Sequence, residues 1–385
     1  MPEDPGSTPS PAARLLRRVV ATQQFGLVVV IVALGAAVAA VAGNETFVVG
    51  RQAMPDGAVR VIEVTRNRLL NAPVLVNYAK DTSFIAIMAI GMTAVIISAG
   101  IDLSVGSTYA LAGVCGAMVL HELGPVGSDL PAAATVLGIA ATLAAAGLCG
   151  LLNGLAVVSL RVHPFIITLG TMKVLRGIAF VSTEAESIGD FPAAFTGVVR
   201  GNLGFGGGLQ PVPLIVMLGM ALLGTVYLSH MVSGRHVYAV GGNLETARFS
   251  GLRTRRIVLS VYVLCGTCAG VASVLANGIY GSAMCNRGDG YELNVIAAAV
   301  VGGASLTGGR GTALGAVLGA MLIQLIEQSI ITLGINQDYN QIIIGAAVVL
   351  AVVLDQVSRR TTARRLAAAG GPASSQATVP QGRRS

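Results

Sequence analysis

Tryptophan is absent from the 385 residues, all aromatics together make up 4%, and charged residues only 11%. An ordinary soluble domain carries about 25% charge. The chain therefore cannot solvate a globular surface, which excludes a typical soluble enzyme and a disordered protein. Lysine is nearly missing too: the 25 basic residues include only Lys80, after Ala79, and Lys173, after Met172. Neither stands in G-x-x-x-x-G-K-[ST], so the chain has no phosphate loop of that type. The four histidines, His121, His163, His230 and His236, are isolated, and no H-E-x-x-H or carboxylate pair accompanies them. Five cysteines, with CGTC at 265–268 as the one suggestive spacing, give neither a disulfide scaffold nor the paired motifs of a zinc site. They read as small apolar residues of membrane helices.

What is abundant is apolar. Hydrophobic residues reach 54%, and uncharged runs such as 19–44, 82–101, 103–120, 130–160, 201–234 and 257–286 can each cross a bilayer, for which about 20 residues suffice. Shorter runs at 293–309, 311–326 and 339–354 end on single charges, and a further one starts at Pro164 and contains Lys173 and Arg176. The expectation is an all-α polytopic membrane protein of about ten helices, at 19–43, 74–98, 103–120, 132–157, 164–182, 212–230, 257–278, 293–309, 311–334 and 339–356. With both termini inside, the inner segments hold 16 of the 25 basic residues, against seven outside when Lys80 is counted with the external segment 44–81. The net charge of +7 is thus sorted by topology rather than gathered on one face, which argues against nucleic acid as a partner. Residues 1–18 and 357–385 read as disordered cytoplasmic tails, the second a basic one lying on anionic lipid. An uncleaved first helix fits the long apolar run after Arg18 better than a signal peptide.

Two halves are related. Residues 99–118 match 302–321 at nine of twenty positions, and the register aligns Asp102-Leu-Ser104 with Ser305-Leu-Thr307, each before a small-residue helix. Paired polar interruptions predict discontinuous helices lining a substrate route. Gly311, Gly315 and Gly319, like Gly150 and Gly154, recur every four residues, a spacing that lets helices pack closely.

The segment 234–256 is too long for a tight turn and carries Tyr238, Val240, Leu244 and Phe249 at roughly helical intervals, with Glu245 and Arg248 between them. It reads as a short amphipathic helix at the inner face, offering apolar knobs to a partner groove or docking on its own protein.

GIDLSVGS (100–107), NG (153–154), HPFIITLGT (163–171), GRHVYAVGGNLETARFSG (234–251) and GYELNVIAAAVVGGASLTGGRG (290–311) together resemble the ribose-type sugar permeases of ABC importers. The motifs fall in family order across residues 74–356. The resemblance implies a pore of two permease copies or of this chain and a relative, a separate cytoplasmic ATPase that binds ATP and Mg, and an extracytoplasmic sugar-binding protein. No cofactor is expected on this chain. The matching coupling positions are Gly234, Arg235, Gly242, Asn243, Glu245, Ala247, Ser250 and Gly251. Asn294 departs from the family pattern, standing where an acid commonly follows Tyr-Glu-Leu, and residues 44–68 form a longer external segment.

A sugar presents hydroxyls and little charge, so its route needs uncharged hydrogen-bonding groups. Ser104, Asn153, Thr168 and Thr171 supply these, Phe165 offers an apolar surface, and Asp102, Tyr291 and Asn294 complete the pathway candidates. Each has a structural alternative: Asn153 can bond a neighbouring helix, and Asp102 can cap the helix starting at Ser104. Lys173 and Arg176, three apart on one helical face, can snorkel, pair with an acid or line the pore, and pairing or snorkelling is the favoured expectation. Other cargoes of the same architecture, such as a polyol, a nucleoside or an amino acid, and an ion-coupled secondary transporter are the alternatives.

Overall fold

The computed structural model describes residues 23–53, 59–124, 131–160, 162–201, 210–339, 341–346 and 349. Both expected tails and Arg161 lie outside the described residues. The chain runs α1 (Gln23–Ala42), β1 (Asn44–Ala53), β2 (Val59–Asn67), α2 (Ala72–Ile97), α3 (Val105–Leu123), α4 (Pro131–Leu160), α5 (Pro164–Thr183), α6 (Ala193–Arg200), α7 (Val212–His230), α8 (Val232–Gly242), α9 (Leu244–Phe249), α10 (Thr254–Tyr280), α11 (Tyr291–Val301) and α12 (Ala313–Thr332). A 3-10 turn, Gln337–Tyr339, follows.

Among the described residues, seven helices are long and apolar enough to cross a membrane: α1, α2, α4, α5, α7, α10 and α12. α3 has the length of a span but ends in His121 and Glu122, and of the helix expected at 339–356 only residues 341–346 and 349 are described as helical. The expected helix 293–309 is shorter, stopping at Val301. Gly302 and Gly303 end it there, and in the polar run that follows Ser305 is buried whereas Thr307, Arg310 and Thr312 are exposed.

Local signals start the helices where the sequence provides them. Asn71 accepts a hydrogen bond from the Val74 amide at the head of α2, with Pro73 in its first turn. His163 Nδ1 accepts from the Phe165 amide ahead of α5, and Thr312 Oγ1 from the Gly315 amide ahead of α12.

α2 is the axle of the fold. It is buried continuously from Thr82 to Ile97 and packs against α10, α12, α11 and α7. α10 in turn lies along α4, where Gly150 lets the two backbones meet: a Cβ there would strike the Tyr262 carbonyl. Cys265 and Cys268 face Gly91 of α2, so the CGTC run is used in packing.

A feature absent from the sequence reading is the antiparallel hairpin β1–β2, with Asn44 opposite Asn67 and Ala53 opposite Val59. At its base Arg68 Nε lies 2.9 Å from Glu45 Oε2. The charges that made residues 44–68 look like a polar loop are, in part, this pair.

Candidate translocation and coupling site

The first interruption is a helix stop with defined chemistry. α2 closes in a Schellman turn, with the Ala99 amide on the Ile96 carbonyl at 2.9 Å and the Gly100 amide on the Val95 carbonyl at 3.0 Å. Ala99 takes the left-handed conformation this requires, φ 63°, without being glycine. The chain then runs without helix through residues 100–102 and turns at Leu103 and Ser104 into α3, which begins at Val105.

Inside that gap a buried polar cluster forms. The Asn153 amide donates to Ser104 Oγ at 2.6 Å, and the Ser104 hydroxyl and backbone amide donate to Asp102 Oδ1 at 2.7 and 2.9 Å. Asn153 Nδ2 also lies 3.4 Å from the same carboxylate oxygen. The Thr168 and Tyr262 hydroxyls both reach the Ile101 carbonyl, each at 3.2 Å. Asp102, Ser104, Asn153 and Thr168 are 0–2% exposed, so three helices, α4, α5 and α10, are pinned to one non-helical segment by buried groups. Asp102 is not the cap residue of α3: Ser104 occupies that position with no side-chain bond to the helix it starts, and Asp102 accepts from the Ser104 amide and hydroxyl. Asn153 Oδ1 is buried with no hydrogen-bond partner among the described residues.

The remaining pathway candidates lie elsewhere. Phe165 is exposed one turn before Thr168, and the Thr171 hydroxyl bonds back to the Thr168 carbonyl at 3.2 Å. Tyr291 leans on Tyr109 of α3, ring centroids 5.8 Å apart, and Asn294 is half-buried one turn further along α11. Arg176 neither snorkels nor forms an ion pair among the described residues; its guanidinium donates to the carbonyls of Cys285 and Arg287 at 2.7 and 2.9 Å.

The second interruption, residues 302–312, is held by Ser305 Oγ against Thr307 Oγ1 at 2.9 Å and by the Ser305 amide on the Arg310 carbonyl at 3.0 Å. It meets both the first interruption and the segment at 234–251. That segment is two helices, α8 and α9, joined at Asn243, whose side chain caps α9 by accepting from the Thr246 amide at 2.9 Å. The Tyr238 hydroxyl donates to the Gly311 carbonyl at 2.7 Å, and burial pushes that hydroxyl above its ordinary range, keeping it a neutral donor.

Gly241 lies so close to the end of α2 that a Cβ would collide with the Ile97 carbonyl, and Gly308, at φ +84°, presses on Gly241 in turn.

The apolar knobs of this elbow fall into two sets. Tyr238 and Val240 face the protein's own core, whereas Leu244 is 42% and Phe249 is 91% exposed. Of the motif positions, Gly234 and Ala247 are buried, and Arg235, Gly242, Asn243, Glu245, Ser250 and Gly251 are all exposed. A cavity of about 710 Å³ opens between elbow and first interruption, lined by Ala99, Gly100, Val157, Tyr262, Leu244 and Arg248 among others.

Sequence reasoning missed Tyr238, Gly241 and Tyr262 as junction residues. The available signal for Tyr262 was a tyrosine in the middle of an otherwise apolar helix, where a hydroxyl needs a partner.

Broken helices meeting a surface elbow inside a predominantly helical body with seven membrane-length helices among the described residues define a transport permease. The chain belongs to the family described as branched-chain amino acid transport system / permease component, whose model matches residues 74–352. It is 38% identical over 285 residues to the ribose import permease protein RbsC of Escherichia coli K12, covering 73% of this chain and 85% of that one. It is 32% identical over 312 residues to the autoinducer 2 import system permease protein LsrD of Yersinia pseudotuberculosis, covering 78% and 90%. No solved structure gives a significant match. The chain is a multi-pass inner-membrane protein.

Proposed function

We propose that this chain is the sugar-conducting permease of an ATP-driven importer, with ribose or a similar monosaccharide as cargo. A second permease copy or relative completes the pore, an extracytoplasmic binding protein delivers the sugar, and a cytoplasmic ATPase carries ATP and Mg, this chain having no ATPase site of its own. Both termini and the α8–α9 elbow face the cytoplasm. The observation that carries the reading is Phe249, 91% exposed at the tip of the elbow beside exposed Glu245 and Arg248. A large aromatic held out on a capped one-turn helix is the shape of an anchor for a partner's pocket.

In this mechanism the ATPase moves α9, α8 transmits the displacement through Gly241 and Tyr238, and the two interruptions change their alignment, switching access between the membrane faces. Asp102, Ser104, Asn153 and Thr168 set the position of the first interruption. Phe165, Thr171, Tyr291 and Asn294 stand along the cargo's route.

The experiment is co-purification of the ATPase with Phe249→Ala and Glu245→Arg chains, together with ribose uptake in vesicles. Both variants should insert normally, lose the ATPase and lose uptake; ATP-driven ribose uptake by the intact complex should persist in the presence of an uncoupler. Retained ATPase binding by both variants would refute the docking role, and uncoupler-sensitive uptake without an ATPase would mark a secondary transporter.

A further inference from the structure

Lys173 is the tenth residue of α5, whose twenty residues begin at Pro164. At a rise of 1.5 Å per residue it sits about 14 Å from either end of the helix, too far for its ammonium to snorkel to an interface. Its side chain is exposed, and no ion pair or hydrogen bond holds it among the described residues. Other charges within the seven spans are accommodated. Lys80, Asp81, Arg176 and Glu327 are only half-exposed, and Arg255 and Arg256 belong to the first turn of α10. A lone ammonium cannot face hydrocarbon at mid-span.

α5 is fixed to the protein at two points. Thr168, on the side away from Lys173, holds it to the Ile101 carbonyl of the first interruption, and Arg176, three residues on from Lys173 and on the same flank, reaches sideways to the 285–287 loop. Its outer face is therefore presented in a fixed orientation, not by default. On that face Gly170 and Gly177 flank Lys173, and a Cβ at either would meet nothing within 4 Å. The surroundings of the ammonium are open.

We propose that Lys173 lines the translocation passage, on a face of α5 turned toward a second copy of the chain across a water-filled gap. There its ammonium donates hydrogen bonds to the hydroxyl oxygens of the passing sugar and repels cations. Two such lysines facing each other favour a hydrated gap over direct helix contact. The cargo part of this inference rests on the reading of the chain as a sugar permease; the accessibility part does not.

The test uses the assembled importer in vesicles. Lys173→Cys is treated with a charged, membrane-impermeant thiol reagent and, separately, with a lipid-soluble maleimide. Four of the five native cysteines are buried and Cys115 is partly so, which makes the wild-type chain the background. The charged reagent should label Lys173→Cys well above that background, and ribose should slow the labelling. Labelling by the maleimide alone places the face in lipid, and labelling by neither reagent places it in a closed interface; both overturn the proposal. Lys173→Met should lower ribose uptake about tenfold or more, with Lys173→Arg retaining most of it. Wild-type uptake by Lys173→Met overturns the cargo contact. If the wild-type importer itself takes up no ribose, the functional reading fails while the labelling result still stands.

Discussion

The Gly309 amide donates a 2.8 Å hydrogen bond to the Ile97 carbonyl, joining the end of α2 to the second interruption. That carbonyl is also the atom against which Gly241 rests. Two unwound segments almost two hundred residues apart in sequence thus share one backbone group with the elbow.

Gly241→Ala should break this junction. The added methyl has backbone on its far side and no flexible side chain to displace, so the cost should be about 1–3 kcal/mol. Thermal unfolding in detergent should show the loss, with uptake reduced further than stability alone accounts for. A wild-type melting curve would contradict the close approach.

Tyr238→Phe removes a single donor, that to the Gly311 carbonyl. One hydrogen bond is worth about 1 kcal/mol, roughly fivefold in an equilibrium. ATPase co-purification should be unchanged because Tyr238 points inward, while uptake per ATP hydrolysed should fall. If both remain at wild-type levels, the bond has no part in transmission.

Ser104→Ala cuts the Asn153–Ser104–Asp102 chain at its middle. The carboxylate keeps the residue's backbone amide but loses the hydroxyl, and the Asn153 amide loses its shorter partner. A destabilisation of about 1–3 kcal/mol is expected. It should appear as a lowered detergent melting temperature and as exposure of 98–104 to proteolysis, and an unshifted melt would show that the cluster does not pin the segment.

Much of this arrangement was legible in the amino acids. The four-residue spacing of Gly150 and Gly154 announced the seam with α10, and the Ser305-Leu-Thr307 interruption falls within a non-helical stretch. What periodicity could not supply was the identity of the covering neighbour. Tyr238, Val240, Leu244 and Phe249 share an apolar pattern, yet the first two face this chain's own helices and the last two face outward. The partner of Asn153 lies 49 residues earlier, and nothing in its local sequence names it. The hairpin was hidden for a different reason: its alternation is diluted by charges, and hydropathy windows tuned to helices average it away.

The encasement of α2 has a bearing on how the chain is made. α2 is synthesised early, yet α7, α10, α11 and α12, which surround it, emerge from the ribosome much later. Until they arrive, its Lys80 and Asp81 and the hydroxyls of Thr82 and Thr93, the last without a hydrogen-bond partner among the described residues, have only the insertion machinery or lipid around them. A chain halted before residue 254 therefore lacks α10, α11 and α12, three of the four helices that encase its own centre.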